Sequence, residues 1–497
     1  MNGKVKINRL RTGVPGLDQI LGGGLPEFSF NVIAGPPGSG KTTLTHQMMF
    51  ALATPERPAL YFTVLGEPPL KMMRYQQQYD YFDMDALGES VHAINLSAEA
   101  MTGDLDLVLR RIVDEVQAYS PALVCVDSFR SVLDGAPDPD VQGNLPRFVQ
   151  QLGVQMTSWE ATTFLLGEYF DEEGPNPVFT ICDGLIWLHQ SVQRNSMVRK
   201  IEIRKMRGQA TVPGLHTFRM SHAGITVFAP ADATAQAEQD AAPRALSDAR
   251  VQMGVPELDR MLGGGLPRGY SLLVAGPSGS GKSVLASEFL AEGARNGESG
   301  VIAVFEQRPG RLRNPVAEEL VAGGRVALVD SRAADLSIDE IVHLLISEIR
   351  RLGATRVVID SLSGFELALA PTFRADFRES LARMVSALAS TGVTVLMTSE
   401  LEDRYTDLRF SPYGTAFLTD AIIVQRYIEV ESRLLRVMAV VKVRASEHSN
   451  ELREYRVDRD GIHVGESLPE QEGLLGGRPT IRRRSERVEE HAAADDV

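Results

Sequence analysis

The sequence predicts an α/β protein made of two tandem copies of one unit, each a mainly parallel β-sheet flanked by helices. The first observation behind this prediction is a repeat: a motif block that begins at Gly13 returns at Gly254, 241 positions later and without a gap. In both places it reads Gly-Val-Pro-x-Leu-Asp-x-x-Leu-Gly-Gly-Gly-Leu-Pro. The second observation is that short apolar runs alternate with longer segments of helical spacing, which is typical of a parallel sheet buried on both faces.

The predicted elements follow the same order in the two halves. In the first half, the segments Thr42 to Ala53 and Leu105 to Tyr119 have helical spacing. Apolar runs of strand length predict buried strands at 30–34, 60–65, 122–127 and 162–166 in the first half, and at 270–275, 301–305, 355–360 and 393–398 in the second.

The repeat also predicts the domain organisation. A chain of 497 residues is long enough for two domains, and the repeat favours that number. A stretch rich in Ala, Asp, Gln and Pro predicts a linker between the halves, and the charged, glycine-containing end predicts a disordered tail. The predicted boundaries are 1–228 for the first domain, 229–248 for the linker, 249–464 for the second domain and 465–497 for the tail.

Composition restricts the expected partners and compartment. The hydrophobic content of 43% is ordinary for a soluble protein, and no apolar run reaches the length of a membrane span. A cytoplasmic protein without membrane contact is therefore expected, and the two cysteines, Cys125 and Cys182, are predicted to be buried thiols. The net charge of −14 offers no general basic face, so nucleic acid is not an expected partner.

Each half contains a phosphate-binding loop between a predicted strand and a predicted helix. The loops read Gly-Pro-Pro-Gly-Ser-Gly-Lys-Thr and Gly-Pro-Ser-Gly-Ser-Gly-Lys-Ser. Glycines let backbone N–H groups turn inward around the phosphates, the lysine reaches the β and γ oxygens, and the hydroxyl holds Mg²⁺. The candidate nucleotide-binding residues are Gly35, Gly38, Ser39, Gly40, Lys41, Thr42 and Thr43 in the first loop, and Gly276, Gly279, Ser280, Gly281, Lys282 and Ser283 in the second.

An aspartate ends a buried strand downstream of each loop, at Asp127 and Asp360. A carboxylate in this place can hold Mg²⁺ directly or through water, so the two aspartates join Thr42 and Ser283 as candidate metal ligands. The alternative is a helix N-cap, a position that Asp or Ser often takes where a strand turns into a helix. The phosphate loop upstream favours the metal role.

A glutamate follows the second predicted strand of each half, at Glu67 and Glu306. A carboxylate beside the γ-phosphate can polarise the attacking water, which makes both residues candidate catalytic groups. The alternative is a carboxylate in a surface loop. Recurrence at the same place in both halves favours the catalytic interpretation.

A strand near the end of each half carries two basic residues, Lys205 and Arg207 in the first and Lys442 and Arg444 in the second. Their spacing of two residues puts both cationic heads on one face of the strand. The pattern alone leaves two alternatives equal: a solvated edge strand, or cations that belong to a nucleotide site.

The paired motif blocks, the double phosphate loop and the Lys-x-Arg strands resemble those of KaiC-type proteins, the double-domain RecA-like ATPases related to the cyanobacterial clock. The resemblance covers about residues 8 to 464. It implies two RecA-like P-loop NTPase domains with ATP and Mg²⁺ as cofactors, in a hexameric ring of two stacked tiers with ATP between neighbouring subunits. In such rings the Lys-x-Arg strand reaches the next subunit's γ-phosphate, so the resemblance implies trans-acting roles for Lys205, Arg207, Lys442 and Arg444.

The sequence departs from the family pattern beside both candidate catalytic glutamates. The family has two adjacent glutamates after the second strand, whereas here the first half has Gly66-Glu67 and the second has Glu306-Gln307. Glu306 lies where the family has its catalytic base. Glu67 is displaced by one position, which puts hydrolysis in the first half in question.

A second departure concerns self-phosphorylation. Clock-type members phosphorylate an adjacent Ser-Thr pair shortly before a Thr-Asp dipeptide in the second half. Alignment on Thr419-Asp420 puts Ala416 and Phe417 at those positions, and neither side chain can accept a phosphoryl group. The nearby hydroxyls belong to Ser411, Thr415 and Thr419.

Three functions are consistent with these motifs. The favoured one is a KaiC-like ATPase that binds Mg·ATP in both domains at subunit interfaces and hydrolyses it slowly, as a nucleotide-state switch for an unidentified signalling partner. The alternatives are a serine/threonine autokinase with a displaced acceptor, and a RecA-like DNA-binding accessory ATPase, which the acidic balance disfavours.

Overall fold

The chain divides into two compact units, Met1–Ala241 and Ala242–Val497. The computed structural model describes residues 7–64, 74–128, 139–170, 176–193, 196–230, 249–305, 314–330, 336–369, 377–401, 418–430, 432–467, 471–472 and 480–481.

The described residues of the first unit form a nine-stranded sheet and a separate two-stranded antiparallel sheet, β1-β2. The sheet order is β11-β10-β9-β8-β3-β7-β6-β4-β5. Neighbours among β8, β3, β7, β6, β4 and β5 are parallel, whereas β9, β10 and β11 extend the sheet beyond β8 with antiparallel pairing. The strands are β1 Arg9–Leu10, β2 Leu25–Pro26, β3 Phe30–Gly35, β4 Ala59–Thr63, β5 Val91–Asn95, β6 Leu123–Asp127, β7 Thr162–Glu168, β8 Gly184–Gln193, β9 Ser196–Met206, β10 Leu215–Ser221 and β11 Gly224–Phe228. The helices are α1 Leu17–Ile20, α2 Lys41–Leu52, α3 Ser97–Ala100, α4 Leu105–Tyr119, α5 Pro139–Ser158 and α6 Pro177–Ile181.

The second unit repeats this topology, with sheet order β16-β15-β17-β18-β14-β19-β20-β21-β22. Its strands are β12 Arg250–Val251, β13 Leu266–Pro267, β14 Ser271–Gly276, β15 Gly300–Val304, β16 Val326–Asp330, β17 Arg356–Asp360, β18 Thr394–Glu400, β19 Ala421–Val430, β20 Arg433–Val443, β21 Arg453–Asp458 and β22 Gly461–Ser467. Its helices are α7 Pro256–Met261, α8 Lys282–Arg295, α9 Pro315–Ala322, α10 Ile338–Leu352, α11 Leu362–Ala368 and α12 Phe377–Ser390.

The predicted fold class is confirmed, since each unit is a mainly parallel sheet with helices on both faces. Each predicted strand and helix matches an observed one to within two residues at either end. The predicted end of the second domain, at residue 464, falls inside β22. A further antiparallel pair, β23 Gln471–Glu472 with β24 Thr480–Ile481, lies in the segment predicted to be a tail.

Strand β3 shows why the sheet is covered on both sides. Side chains alternate between the two faces of a strand. Phe30, Val32 and Ala34 belong to the hydrophobic cluster that contains the buried side of α4, whereas Ile33 belongs to the cluster that contains Leu44 of α2. Because both faces are buried, the strand needs a continuous apolar sequence instead of an alternating one.

The repeated motif block connects the strands of the small two-stranded sheet that precedes each phosphate-loop strand. Asp18 Oδ1 accepts hydrogen bonds from the Thr12 N–H and hydroxyl, both at 2.8 Å. Gly24, at φ +120°, lies against the Leu10 carbonyl, where a Cβ atom would be 2.3 Å from the oxygen. Asp259 Oδ1 accepts the Met253 N–H at 2.7 Å in the second unit. The Asp and the last Gly of the block in the first unit, and the Asp in the second, thus have structural roles in the fold.

A buried arginine distinguishes the second unit from the first. Arg356, at the start of β17, is 2% exposed, and its Nε lies 2.5 Å from Glu298 Oε2. Its Nη1 donates to the Gln252 and Phe289 carbonyls at 2.7 and 2.8 Å, and the guanidinium covers the Phe289 ring. The equivalent residue of the first unit, by strand register, is Leu123, which is 1% exposed. Arg356 therefore joins the segment just before the motif block, the phosphate-loop helix α8 and β17.

Replacement of Arg356 by alanine is expected to destabilise the second unit by about 3 kcal/mol, because two carbonyls lose a donor and the partly buried Glu298 carboxylate keeps only its contact with Arg268 among the described residues. Hydrogen exchange on the full chain measures this effect by unit: the β17 backbone should exchange faster, and the β6 backbone should not. Leu123→Ala is the matched control and should produce the reverse pattern. Unchanged β17 protection in Arg356→Ala would contradict the assigned role.

Candidate nucleotide sites

Each phosphate loop connects the end of a central strand to the start of a long helix. In the first unit the loop runs from Gly35 to α2, and Gly38 and Gly40 have φ values of +74° and +104°. The matching glycines of the second loop, Gly279 and Gly281, have φ values of +76° and +100°. These conformations favour glycine, and the backbone N–H groups at such a helix start form an anion-binding site.

The two loop lysines make the same contacts. Lys41 Nζ donates to the carbonyls of Gly35 and Pro36 at 2.9 and 3.0 Å, and Lys282 Nζ donates to those of Gly276 and Pro277 at 2.9 and 2.8 Å. Burial lowers the pKa of each lysine below its usual value. Each ammonium group thus lies over its own loop, in a partly desolvated place where a phosphate would interact strongly with it.

A carboxylate lies near each loop lysine, and neither one was predicted from the sequence. Glu168 ends β7 and pairs in register with Gly35; Glu400 ends β18 and pairs with Gly276. Both are exposed, and their negative charges oppose the lowering of the pKa of Lys41 and Lys282. Comparison of the two halves had the necessary signal, since both segments are apolar runs that end in Glu.

Asp127 lies next to Thr42, as the predicted metal site requires. The Thr42 hydroxyl donates to Asp127 Oδ2 at 2.8 Å, and the Tyr61 hydroxyl donates to the same oxygen at 2.5 Å. Tyr61 is 2% exposed, and burial together with the charge of Asp127 raises its pKa well above the usual range. Tyr61 therefore stays a hydrogen-bond donor to the carboxylate, a contact that no sequence pattern indicated.

Asp360 is held by a different neighbour. Thr398 of β18 donates its hydroxyl to Asp360 Oδ1 at 2.5 Å. By register, Ile302 stands in the second unit where Tyr61 stands in the first, and Leu166 stands in the first where Thr398 stands in the second. The two units therefore orient equivalent aspartates from opposite neighbouring strands.

The N-cap alternative applies to the residue after Asp360. Ser361 is the N-cap of α11, and its hydroxyl accepts the Gly364 N–H at 3.2 Å. Asp360 is therefore not the N-cap of α11, and its metal role stays a prediction. The peptide bonds Asp127–Ser128 and Asp360–Ser361 are both cis.

The Lys-x-Arg residues contact their own unit at the far end of the sheet. Lys205 Nζ donates to the carbonyls of Phe179, Thr180 and Cys182 at 3.1, 2.9 and 2.5 Å, and Arg207 Nη1 lies 3.2 Å from Asp183 Oδ1.

The second unit repeats these contacts. Lys442 Nζ donates to the Thr419 carbonyl at 2.7 Å, and Arg444 Nη1 lies 3.3 Å from Asp420 Oδ1.

The position of Asp183 shows that the basic pair lies at the edge of the sheet where β3 begins. Its backbone N–H donates to the carbonyl of Phe30, the first residue of β3, whereas the phosphate loop leaves β3 at Gly35. Five residue steps at roughly 3.3 Å separate these ends by about 16 Å. The basic pair of one subunit is therefore far from that subunit's own phosphate loop in the same unit.

Several predicted residues lie outside the described part of the chain, namely Glu67, Glu306, Ser411, Thr415, Ala416 and Phe417. Thr419 is described and is 1% exposed, so its hydroxyl is not presented to solvent.

No group of three or more His, Cys, Asp or Glu side chains with the geometry of a metal site occurs among the described residues. A Mg²⁺ ion that is shared with phosphates needs fewer protein ligands than that, usually one or two carboxylates. Within the same described residues, no helix is both long enough and apolar enough to span a membrane.

Comparison with known proteins gives the family. The KaiC ATPase family model matches residues 10–232 and 251–469. The circadian clock oscillator protein KaiC of Picosynechococcus sp. is 28% identical over 502 positions, which cover 96% of this chain and 94% of the relative. KaiC 1 of Synechocystis sp. is 27% identical, with 95% and 92% covered, and KaiC of Thermosynechococcus vestitus is 26% identical, with 96% and 92% covered. Because the family model matches both units, this chain belongs to the KaiC family of ATPases.

Proposed function

We propose that each unit binds Mg·ATP at an interface between subunits and hydrolyses it slowly, so that the nucleotide state acts as a switch for a signalling partner. The observation that carries this proposal is the division of each site. The phosphate loop, its lysine and the aspartate lie at one end of the sheet, and the basic pair lies at the other. A neighbouring subunit is needed to bring these two parts together.

At the loop end, Lys41 and Lys282 would bind the β- and γ-phosphates in place of the carbonyls that they now contact. Thr42 and Ser283 would bind Mg²⁺, with Asp127 and Asp360 supporting it. The direct Thr42–Asp127 hydrogen bond supports this assignment, because an ion placed between a phosphate and these two groups would have both oxygens within reach. Bound Mg²⁺ would supply charge stabilisation at the transferring phosphoryl group.

At the opposite end, Arg207 and Arg444 are the better candidates for trans-acting residues. Their side chains are 60% and 57% exposed, whereas the Lys205 ammonium contacts three carbonyls of its own unit. An arginine supplied by a neighbour stabilises the charge of the transition state, which makes hydrolysis depend on assembly. A closed ring of identical subunits, a homohexamer as in the family, provides such an interface in every subunit.

Glu67 and Glu306 complete the proposed sites as the groups that polarise water. Their position after the second strand of each unit supports this role, and so does the family pattern at Glu306. The autokinase alternative would use the same sites with a hydroxyl in place of water. Ala416 and Phe417 at the family's acceptor positions, together with the buried Thr419 hydroxyl, favour hydrolysis.

The fate of labelled γ-phosphate tests the reaction. Incubation of the full chain with Mg·ATP is expected to convert the label to free phosphate, with two nucleotides bound per chain in the wild type. Lys41→Ala and Lys282→Ala should each remove one nucleotide, because each deletes the cation that binds the phosphates. Label retained on the protein would instead favour the autokinase, and unchanged stoichiometry would contradict the site assignment.

Tyr61→Phe is expected to weaken metal support in the first unit alone. With Lys282→Ala silencing the second unit, the Mg²⁺ concentration for half-maximal turnover should rise by about 10-fold, since a hydrogen bond that orients the supporting carboxylate is lost. Ile302→Val, at the equivalent position, in a chain with Lys41→Ala is the matched control and should leave the Mg²⁺ dependence unchanged. Equal Mg²⁺ dependence in Tyr61→Phe and its parent would show that Tyr61 serves only packing.

Arg207→Ala is expected to lower first-unit turnover by about 10³-fold without preventing assembly or ATP binding. Arg110→Ala, on the exposed side of α4, is the control. The deciding measurement mixes Arg207→Ala with Lys41→Ala subunits, both carrying Lys282→Ala. Activity should return in mixed assemblies, because one subunit supplies the loop and its neighbour supplies the arginine. Mixed assemblies without activity would contradict the trans role.

A further inference from the structure

One carboxylate in each unit contacts both the first residue of the phosphate-loop strand and the candidate trans-acting arginine. Asp183 Oδ2 accepts the Phe30 N–H at 3.1 Å, while Asp183 Oδ1 accepts a hydrogen bond from Arg207 Nη1 at 3.2 Å. The backbone repeats the connection, because the Asp183 N–H donates to the Phe30 carbonyl at 2.7 Å and the Arg207 N–H donates to the Asp183 carbonyl at 2.9 Å. Hydrogen bonds of its side chain and of its backbone thus hold Asp183 to both Phe30 and Arg207.

The second unit has the same arrangement from a different local sequence. Asp420 Oδ2 accepts the Ser271 N–H at 3.0 Å and the Ser271 hydroxyl at 2.9 Å. Asp420 Oδ1 accepts from Arg444 Nη1 at 3.3 Å, and the Arg444 N–H donates to the Asp420 carbonyl at 2.8 Å. The contacts therefore recur where Phe30 is replaced by Ser271, which indicates that the aspartate and the arginine are the constant parts.

Stability alone does not account for this pair. Arg207 is 60% exposed and Asp183 is 32% exposed, and an ion pair so open to solvent contributes little to folding. The two oxygens of Asp183 have different partners, however: Oδ2 accepts a backbone N–H of the central strand, and Oδ1 accepts from the exposed guanidinium of Arg207. A guanidinium group has five N–H donors, so one contact with Asp183 leaves its other N–H groups available to a phosphate.

We infer that Asp183 and Asp420 are positioning residues, which hold Arg207 and Arg444 in the orientation needed to reach the γ-phosphate bound by the neighbouring subunit. This inference rests on the proposed trans role of the two arginines. A long arginine side chain without such a contact would sample many rotamers, and misplacement of a catalytic cation by about 1 Å can lower a rate by about 100-fold. The aspartate lowers that loss because its own place is set by the sheet.

Asp183→Asn tests the inference in the full chain carrying Lys282→Ala. The asparagine oxygen can still accept the Phe30 N–H, but the negative charge that holds Arg207 is lost. First-unit kcat should fall by about 10- to 100-fold, with the KM for ATP and the oligomeric state unchanged, since the loop that binds ATP is intact. Glu115→Gln breaks another partly exposed ion pair of the unit, with Arg111, and should leave kcat unchanged. An unchanged kcat in Asp183→Asn overturns the inference.

Two further measurements separate positioning of the arginine from a structural effect on β3. In mixed assemblies with Lys41→Ala subunits, Asp183→Asn should regain activity as Arg207→Ala does, because the Lys41→Ala neighbour keeps both Asp183 and Arg207. In an Arg207→Ala chain, Asp183→Asn should cause no further loss, since the two residues act in series. Failure of complementation, or additive losses, would overturn the positioning role.

These outcomes also separate this inference from the proposed function. If Arg207→Ala leaves first-unit turnover unchanged, the trans role itself is wrong and the positioning role falls with it. If Arg207→Ala loses turnover and is complemented in mixed assemblies while Asp183→Asn is fully active, only the positioning role is wrong. Asp420→Asn with Lys41→Ala provides the same test in the second unit.

Discussion

The parallel pairing of β3 between β7 and β8, and of β14 between β18 and β19, is the constraint on which both candidate sites depend. In a parallel sheet every strand ends at the same edge, so the phosphate loop and the carboxylates of Asp127 and Glu168 meet there. The same pairing carries Asp183 and the end of β9 to the opposite edge. The loop and the basic pair of one unit therefore lie at opposite edges of its sheet, which is the geometry that the proposed dependence of hydrolysis on assembly requires.

The two units are copies in topology but not in the contacts that orient their key groups. Tyr61 holds Asp127 from one side and Thr398 holds Asp360 from the other. The second unit also has Arg356 buried where the first has Leu123. A phenol that is almost fully buried and a threonine hydroxyl restrict a carboxylate differently, so the two sites need not share a metal dependence or a turnover rate.

Membership of the KaiC family supports nucleotide binding, but it does not by itself distinguish hydrolysis from phosphoryl transfer to a hydroxyl. In their proposed roles, the loops, the lysines and the strand-end aspartates would serve hydrolysis and phosphoryl transfer to a hydroxyl equally well, because both reactions need the same charge stabilisation. What separates the two reactions is the acceptor. Ala416 and Phe417 in place of hydroxyl residues, and the burial of Thr419, support the proposal that water is the acceptor.

Local patterns were enough to predict the fold class and to find the phosphate-loop motifs, because each depends on residues whose spacing along the chain already implies their geometry. The metal role of Asp127 is inferred from its place at a strand end, and its contact with Thr42, 85 residues away in the chain, comes from the sheet. The roles of Glu67 and Glu306 remain predictions from the sequence. Only the tertiary structure showed which residues orient Asp127, Asp360 and Arg207. Tyr61 and Thr398 lie on other strands than the aspartates they contact, and Asp183, just before β8, meets Arg207, just after β9. These residues become neighbours only through sheet register, which no local pattern encodes. The division of each site between opposite sheet edges likewise follows from strand direction, a property of the assembled sheet.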